Sequence, residues 1–237
     1  MSLSPKYEST VPMQRNKHTF RPDSFLGRIN QDSWTELSML WTPHHYQSGQ
    51  FLISADDDNT DIFFILSGAA KVTNYTPAGR EVYFAEIFAG DSIGEYSAID
   101  NAPRSSSVVA SGDCYAASLT AEQFRALLLA RSDISFSLHQ VMVSHLRKLS
   151  KRVLDFNSKP ADIRLKETLL DIAQTQNAQG DSVLIKHPPT QNELAAYIFS
   201  SREGVAREMG RLRKAGLIER QKRSLFIPSL TAFENAL

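Results

Sequence analysis

Among the chain's 237 residues there is a single cysteine, Cys114. That excludes an internal disulfide, a four-thiolate zinc site and an iron–sulfur cluster. Cys114 itself reads as a small buried hydrophobe on a strand. Long apolar runs are missing as well, and none approaches the ~18 residues needed to cross a bilayer. Met1–Asn16 is polar, holds two prolines and has no charged-then-apolar signal pattern. These absences predict a cytoplasmic protein that does not enter membranes. Nor is there a paired nucleophile and base, a metal-ligand set or spare length for a catalytic domain, so no enzyme and no metal are expected.

What is present suits two domains. Hydrophobic residues make up 42% and charged residues 22%, and the length lets each domain bury its own core. The net charge is zero, but it is unevenly spread. Lys186–Arg223 holds nine basic residues and four acidic ones, leaving the rest of the chain acidic. A locally basic module on an acidic body is the electrostatic footprint of DNA binding, although basic surface helices are also common.

Short strand-like segments occur at Gln50–Ser54, Ile62–Leu66, Ala69–Asn74, Val82–Ile87, Ser106–Ala110 and Tyr115–Leu119. Glycines punctuate them, Pro77-Ala78-Gly79 suits a hairpin turn, and the set predicts an antiparallel barrel or sandwich. Asp56-Asp57-Asp58 reads as a solvated loop, since it lacks a calcium-loop pattern. From Ile134 to Phe156 the period becomes helical. Met142, Leu146, Leu149, Val153 and Phe156 recur at the spacing of a coiled-coil seam. A helix packed on its own domain is the alternative. Pro160 discourages helix in the residue before it. A second helix over Ala161–Gln174 follows, then a polar turn to Gly180.

The last third carries two helix starts in quick succession. Thr190 with Glu193 forms a capping-box pattern, and Ser200 with Glu203 repeats it. Two short helices joined so tightly are the signature of a helix-turn-helix. On the second helix Val205, Met209 and Leu212 share the core side. Arg202, Glu203 and Arg207 occupy a different sector of the first two turns. Arginine can grip guanine N7 and O6 with two hydrogen bonds, and a carboxylate can accept from cytosine N4. An exposed helix with a Glu203–Arg207 ion pair remains the plainer alternative.

Leu194-Ala195, Ser201-Arg202-Glu203, Val205, Arg207, Met209, Leu212 and Gly216-Leu217-Ile218 keep one register. In that register the chain resembles the cyclic-AMP receptor protein/fumarate-nitrate regulator family, over about residues 25 to 230. The resemblance implies an α+β fold: an N-terminal cyclic-nucleotide-binding β-roll, jelly-roll-like, then a long dimerisation helix and a C-terminal winged helix-turn-helix. It divides the chain into a leader (1–24), an effector domain (25–133), a dimerisation helix (134–158) and a DNA-binding domain (159–237). It further implies that Arg202, Glu203 and Arg207 read bases in a palindromic TGTGA-like site. Thr190, Gln191, Ser201 and Arg223 match phosphate-contacting positions, and Lys222 to Ile227 would form the wing. A homodimer on double-stranded DNA and contact with RNA polymerase are implied as well. Two departures stand out: Phe199 occupies the turn position usually held by glycine, and Gly204 replaces a hydroxyl residue.

The stretch from Gly90 to Ser106 has its own chemistry. Glycine lets backbone approach a ligand, glutamate accepts from sugar hydroxyls, and arginine beside serine clamps a phosphate. Gly94-Glu95 and Arg104-Ser105 resemble the phosphate-binding cassette of cyclic-nucleotide-binding domains. By that resemblance Glu95 takes the ribose 2′-hydroxyl, and Arg104 with Ser105 takes the phosphate, helped by backbone N–H groups near Gly94 and Tyr96. An Arg–Glu pair across an empty barrel, or another anion, is the alternative. The positions that touch adenine in the family correspond to Leu149-Ser150, so only Ser150 could serve, and cyclic AMP is favoured over cyclic GMP only by the family's habits. A haem- or nitric-oxide-sensing or effector-independent version of the same regulator stays open, with His18, His44, His45 and His139 as the histidines at hand. Adjacent His44 and His45 on a strand point to opposite faces and cannot easily share a metal.

Overall fold

The computed structural model describes residues 20–75, 81–174, 180–186 and 188–236. The expected Pro77–Gly79 hairpin and most of the polar turn before Gly180 lie outside the described residues. The chain divides into two compact units, the first reaching Asn74 and resuming over Ala85–Ser144, the second built mainly on His145 onward.

The first unit opens with α1 (Phe25–Arg28) and α2 (Gln31–Leu40), each capped by the side chain before it: Ser24 accepts from Gly27 N–H and Asn30 from Ser33 N–H. Eight strands follow, interrupted near their end by one short helix. They are β1 (Thr42–Tyr46), β2 (Phe51–Ile53), β3 (Ile62–Ser67), β4 (Ala69–Tyr75), β5 (Glu81–Phe88), β6 (Ser92–Ile93), then α3 (Glu95–Asp100), β7 (Ser107–Ala110) and β8 (Cys114–Leu119). The strands form two four-stranded sheets, ordered β1-β8-β3-β6 and β2-β7-β4-β5. The sequence had signalled all but β1 and β6. β1 is hard to see because Pro43 and two histidines dilute its pattern; β6 has only two residues.

β3 shows why the roll is stable. Its run Ile62-Phe63-Phe64-Ile65-Leu66 is buried on both faces. Phe63 and Ile65 face the roll interior with Leu52, Ile93, Val108 and Cys114. Ile62, Phe64 and Leu66 face the other way, into a second core with the helices. A strand covered on both sides reads as a continuous apolar run rather than an alternating one. The covering layer includes α1, α2, α4 (Ala121–Ala130) and the start of α5 (Ser132–Ser158). α4 carries a full capping box, Thr120 with Gln123. Cys114 is fully buried on β8, as the sequence suggested.

α5 behaves differently along its length. Ile134, Leu138 and Val141 are buried in the first unit's core. Beyond them Leu146, Leu149, Val153 and Phe156 are each about half exposed or more, Leu146 at 61%. The start of this helix therefore packs on its own domain, as one alternative expected, and Leu146, Leu149 and Val153 farther along remain exposed.

The second unit continues with α6 (Ala161–Gln174), β9 (Val183–Ile185), α7 (Gln191–Tyr197), α8 (Arg202–Lys214), β10 (Glu219–Gln221), β11 (Ser224–Ile227) and α9 (Leu230–Glu234). β10, β11 and β9 form an antiparallel sheet in that order. The wing thus begins at Glu219, three residues before its expected start at Lys222. One core joins Leu165 and Leu169, Leu194 and Ile198, Val205, Met209 and Leu212, and Leu225 and Ile227. The three expected core positions of α8 are all there.

Candidate effector site and nucleic-acid interface

Gly94 ends β6 and caps α3 with φ +82°. An L-residue in this left-handed region costs ~1–2 kcal/mol. A Cβ at Gly94 would also lie 2.5 Å from Arg104 Nη1 and 2.9 Å from the Asp61 carbonyl oxygen. Only glycine lets Arg104 come so close. Arg104 Nη1 donates to Gly94 O at 3.2 Å and Nη2 to Asp61 O at 2.7 Å. Its Nε is buried with no partner among the described residues.

Glu95 is the first residue of α3. Glu95 and Arg104 are each only 8% exposed. Burial pushes the Glu95 carboxyl up to about 7, against the pull of a backbone N–H and of Arg104, while Asp91 adds to the rise. Burial also lowers the Arg104 pKa, opposed by Asp61, Asp57 and Glu95. Among the described residues, Arg104 spends its hydrogen bonds on carbonyls and not on the Glu95 carboxylate. A closed Arg–Glu pair is therefore not what fills this site. A cavity of about 190 Å³ opens against Arg104, walled by Asp56–Asp58, Thr60 and Asn101–Pro103. Tyr96 and Ser105 are exposed at the ends of the cassette. Ser150 is exposed on the part of α5 that belongs to the second unit.

Two supports of the cassette went unseen in the sequence. Arg125 of α4 donates from Nη1 to Ala98 O at 2.7 Å and to Asn101 Oδ1 at 2.9 Å. It thereby satisfies the carbonyl end of α3, where Asn101 turns left-handed at φ +57°. The Thr120–Gln123 capping box was the signal that could have placed α4 and Arg125. Asp61 acts through its backbone oxygen, which no side-chain pattern announces. His44 and His45 do point apart: His44 bonds Ser118 and lies beside Phe63, whereas His45 stacks on Tyr115 at 4.4 Å. No group of three or more possible metal-binding side chains occurs among the described residues.

In the second unit Thr190 caps α7 with both halves of the expected box, accepting from Glu193 N–H while Glu193 accepts from Thr190 N–H. The second expected box, Ser200 with Glu203, does not form. The cap of α8 is Ser201, not Ser200; its hydroxyl accepts from Gly204 N–H at 3.0 Å. Phe199 adopts φ +52°, which delays the helix by one residue, and Gly204 has no side chain to complete a box. The left-handed Phe199 costs ~1–2 kcal/mol relative to glycine.

Arg202, Glu203 and Arg207 are exposed on the first two turns of α8, and among the described residues no ion pair joins Glu203 to Arg207. The nearby ion pair is Arg211 with the largely buried Glu208, at 3.3 Å. Gln191 is half-buried at the start of α7, and Ser201 is exposed. Lys222 and Arg223 are exposed in the two-residue turn between β10 and β11.

A β-roll with a buried glutamate and arginine, a long helix and a winged helix-turn-helix together make the architecture of a ligand-binding transcription regulator. A model of the cyclic nucleotide-binding domain matches residues 43–131, and a model of the Crp-like helix-turn-helix domain matches residues 163–236. The chain belongs to the cyclic-AMP receptor protein/fumarate-nitrate regulator family.

Its relatives include the CRP-like cAMP-activated global transcriptional regulator of Mycobacterium tuberculosis strain H37Rv, 27% identical over 186 residues, 78% of this chain and 83% of the relative. The cAMP-activated global transcriptional regulator Vfr of Pseudomonas aeruginosa is 27% identical over 186 residues, 77% of this chain and 87% of its own. Among solved structures, the c-di-GMP responsive global regulator CLP of Xanthomonas campestris superposes with a TM-score of 0.70 at 16% identity, covering 84% of this chain and 99% of that one. No helix among the described residues is long and apolar enough to cross a membrane.

Proposed function

We propose that the chain is a homodimeric transcription regulator switched by a cyclic nucleotide, cyclic AMP ahead of cyclic GMP. It binds a palindromic TGTGA-like site in double-stranded DNA, works with RNA polymerase in the cytoplasm, and has no catalytic or metal role. The observation that carries this reading is that Glu95 and Arg104 are both buried and not bonded to each other, with Gly94 leaving the room that Arg104 occupies. Arg104 offers a fixed positive edge with an unpartnered Nε, suited to the singly charged phosphodiester. Glu95 offers acceptors for the ribose 2′-hydroxyl. Gly94 keeps the cradle open where a Cβ would close it. The residues present fit the nucleotide, and when bound it supplies the anion that these groups lack. The preference for cyclic AMP rests on the relatives named above.

The exposed stripe Leu146–Leu149–Val153 supports a dimer, because two such helices bury it by facing each other. A dimer with two-fold symmetry reads a palindrome, and its recognition helices must stand one helical turn of DNA apart. Nucleotide binding biases the arrangement that achieves this spacing. The expected division at about residues 133 and 158 places the switch on α5.

Calorimetric titration with cyclic AMP and cyclic GMP tests the effector. Wild type binds one of them at micromolar concentration or tighter, and Arg104→Gln binds neither while keeping its thermal transition. If wild type binds neither, the cassette assignment is wrong; a Soret band in the purified protein then assigns the sensor to haem.

A further inference from the structure

The turn between α7 and α8 is gripped from behind by side chains that DNA reading does not use. Ser200 N–H donates to Ala195 O at 2.8 Å and Phe199 N–H to Ala196 O at 3.4 Å. This is the helix-ending motif whose left-handed position glycine normally fills. Phe199 fills it instead, so its ring must do something glycine cannot. Phe199 is 52% exposed, yet its ring meets Phe156 of α5 edge-on at 5.3 Å.

Arg152, one turn earlier on α5, completes the contact. Its guanidinium lies 4.1 Å from the Tyr197 ring centre and 5.4 Å from that of Phe199. Arg152 Nη2 also donates to Tyr197 O at 2.9 Å. Arg164 of α6 donates from Nε to Ile198 O at 2.9 Å and from Nη2 to Phe199 O at 3.3 Å. Three consecutive carbonyls at the end of α7 are thus held by arginines from α5 and α6. Helix-end carbonyls need such partners, and cation–ring contacts add attraction and orientation. The next residues after this turn are Ser201 and then Arg202, so whatever fixes the turn fixes the start of α8.

We infer that Arg152 and Phe199 are positioning residues for DNA recognition: they lock the helix-turn-helix turn, and with it the end of α8 that carries Arg202, Glu203 and Arg207, to the last turns of α5. This rests on the reading of α8 as the helix that meets bases. The arrangement gives the C-terminal part of α5 a hold on the turn that leads into the recognition helix. A departure from glycine that costs backbone strain is thereby given a purpose.

Phe199→Gly separates positioning from stability, because it relieves the left-handed strain while removing the ring. Its thermal stability is expected to equal or exceed that of wild type. In Phe199→Gly and Arg152→Ala, hydrogen exchange at the amides from Ser200 to Arg207 accelerates by roughly 10-fold or more. Their dissociation constants for a palindromic TGTGA-containing duplex rise about 10-fold, or ~1.4 kcal/mol. Phe199→Tyr keeps wild-type values, and the double variant falls short of the sum of the two single effects, since both side chains brace the same turn. Unchanged exchange in both variants overturns the clamp whatever the DNA result. Faster exchange with wild-type DNA affinity overturns the positioning role. If wild type itself fails to bind the duplex while the variants exchange faster, the clamp stands and the base-reading assignment of α8 fails.

Discussion

Replacing Glu95 by glutamine should make the effector unit more stable at alkaline pH and leave it unchanged at acid pH. Glu95 is buried, and its carboxyl is pushed from an ordinary 4.5 up to about 7. The folded state therefore holds its proton where the unfolded state has lost it. Stability from this group is fully present below pH ~4.5, falls as pH rises towards 7, and is gone above it. The shift is worth ~1.36 kcal/mol per unit, or up to ~3 kcal/mol in all. Glutamine keeps the shape and pays no charging cost. The assay is convenient because both tryptophans, Trp34 and Trp41, lie in the first unit, stacked edge to face at 5.1 Å. Denaturant unfolding followed by tryptophan fluorescence at pH 5 and pH 8 reads this unit alone. A Glu95→Gln advantage under ~1 kcal/mol at pH 5 that grows to ~3 kcal/mol at pH 8 is expected. Parallel curves, or a wild type more stable than the variant at pH 8, would refute the reasoning, because the carboxylate would then be held by Arg104 rather than strained by burial.

Gly94→Ala should lose ~1–2 kcal/mol from left-handed strain and displace Arg104, so calorimetry should find no nucleotide binding at concentrations that saturate wild type. Arg202→Ala should weaken binding by ~1–3 kcal/mol and relax preference at one base pair of the half-site; an unchanged preference in a selection from random duplexes would show the register of α8 to be wrong. Leu149→Lys should convert dimer to monomer in sedimentation velocity, and a variant that stays dimeric would move the interface away from the exposed stripe of α5.

Much of this could be read from the sequence because the relevant signals are periodic or local. The four-three spacing on α5, the core face of α8 and the Thr190 cap follow from helix geometry alone. Gly94 and Arg104, which the structure brings into contact, belong to segments whose spacing stood out in the sequence. What escaped notice depends on contacts between distant residues. Arg104's partners are a neighbour in the cassette and the carbonyl of Asp61, and backbone oxygens carry no sequence signature. Arg125 reaches the cassette across 24 residues to Asn101. The misplaced cap at Ser200 has a different cause: the pattern was right, but a left-handed Phe199 shifted the helix start by one residue. Its ring, in turn, is explained only by Phe156 and Arg152 on another helix.

The central claim is that one chain couples a nucleotide at Glu95 and Arg104 to DNA at Arg202, Glu203 and Arg207. Fluorescence anisotropy of a labelled palindromic TGTGA duplex, titrated with wild-type protein at fixed salt with and without saturating cyclic AMP, tests it most directly. Cyclic AMP should change the dissociation constant at least several-fold, and Arg104→Gln should bind the duplex identically in both conditions. Equal wild-type affinity with and without the nucleotide, or an equal nucleotide response in Arg104→Gln, would contradict the account.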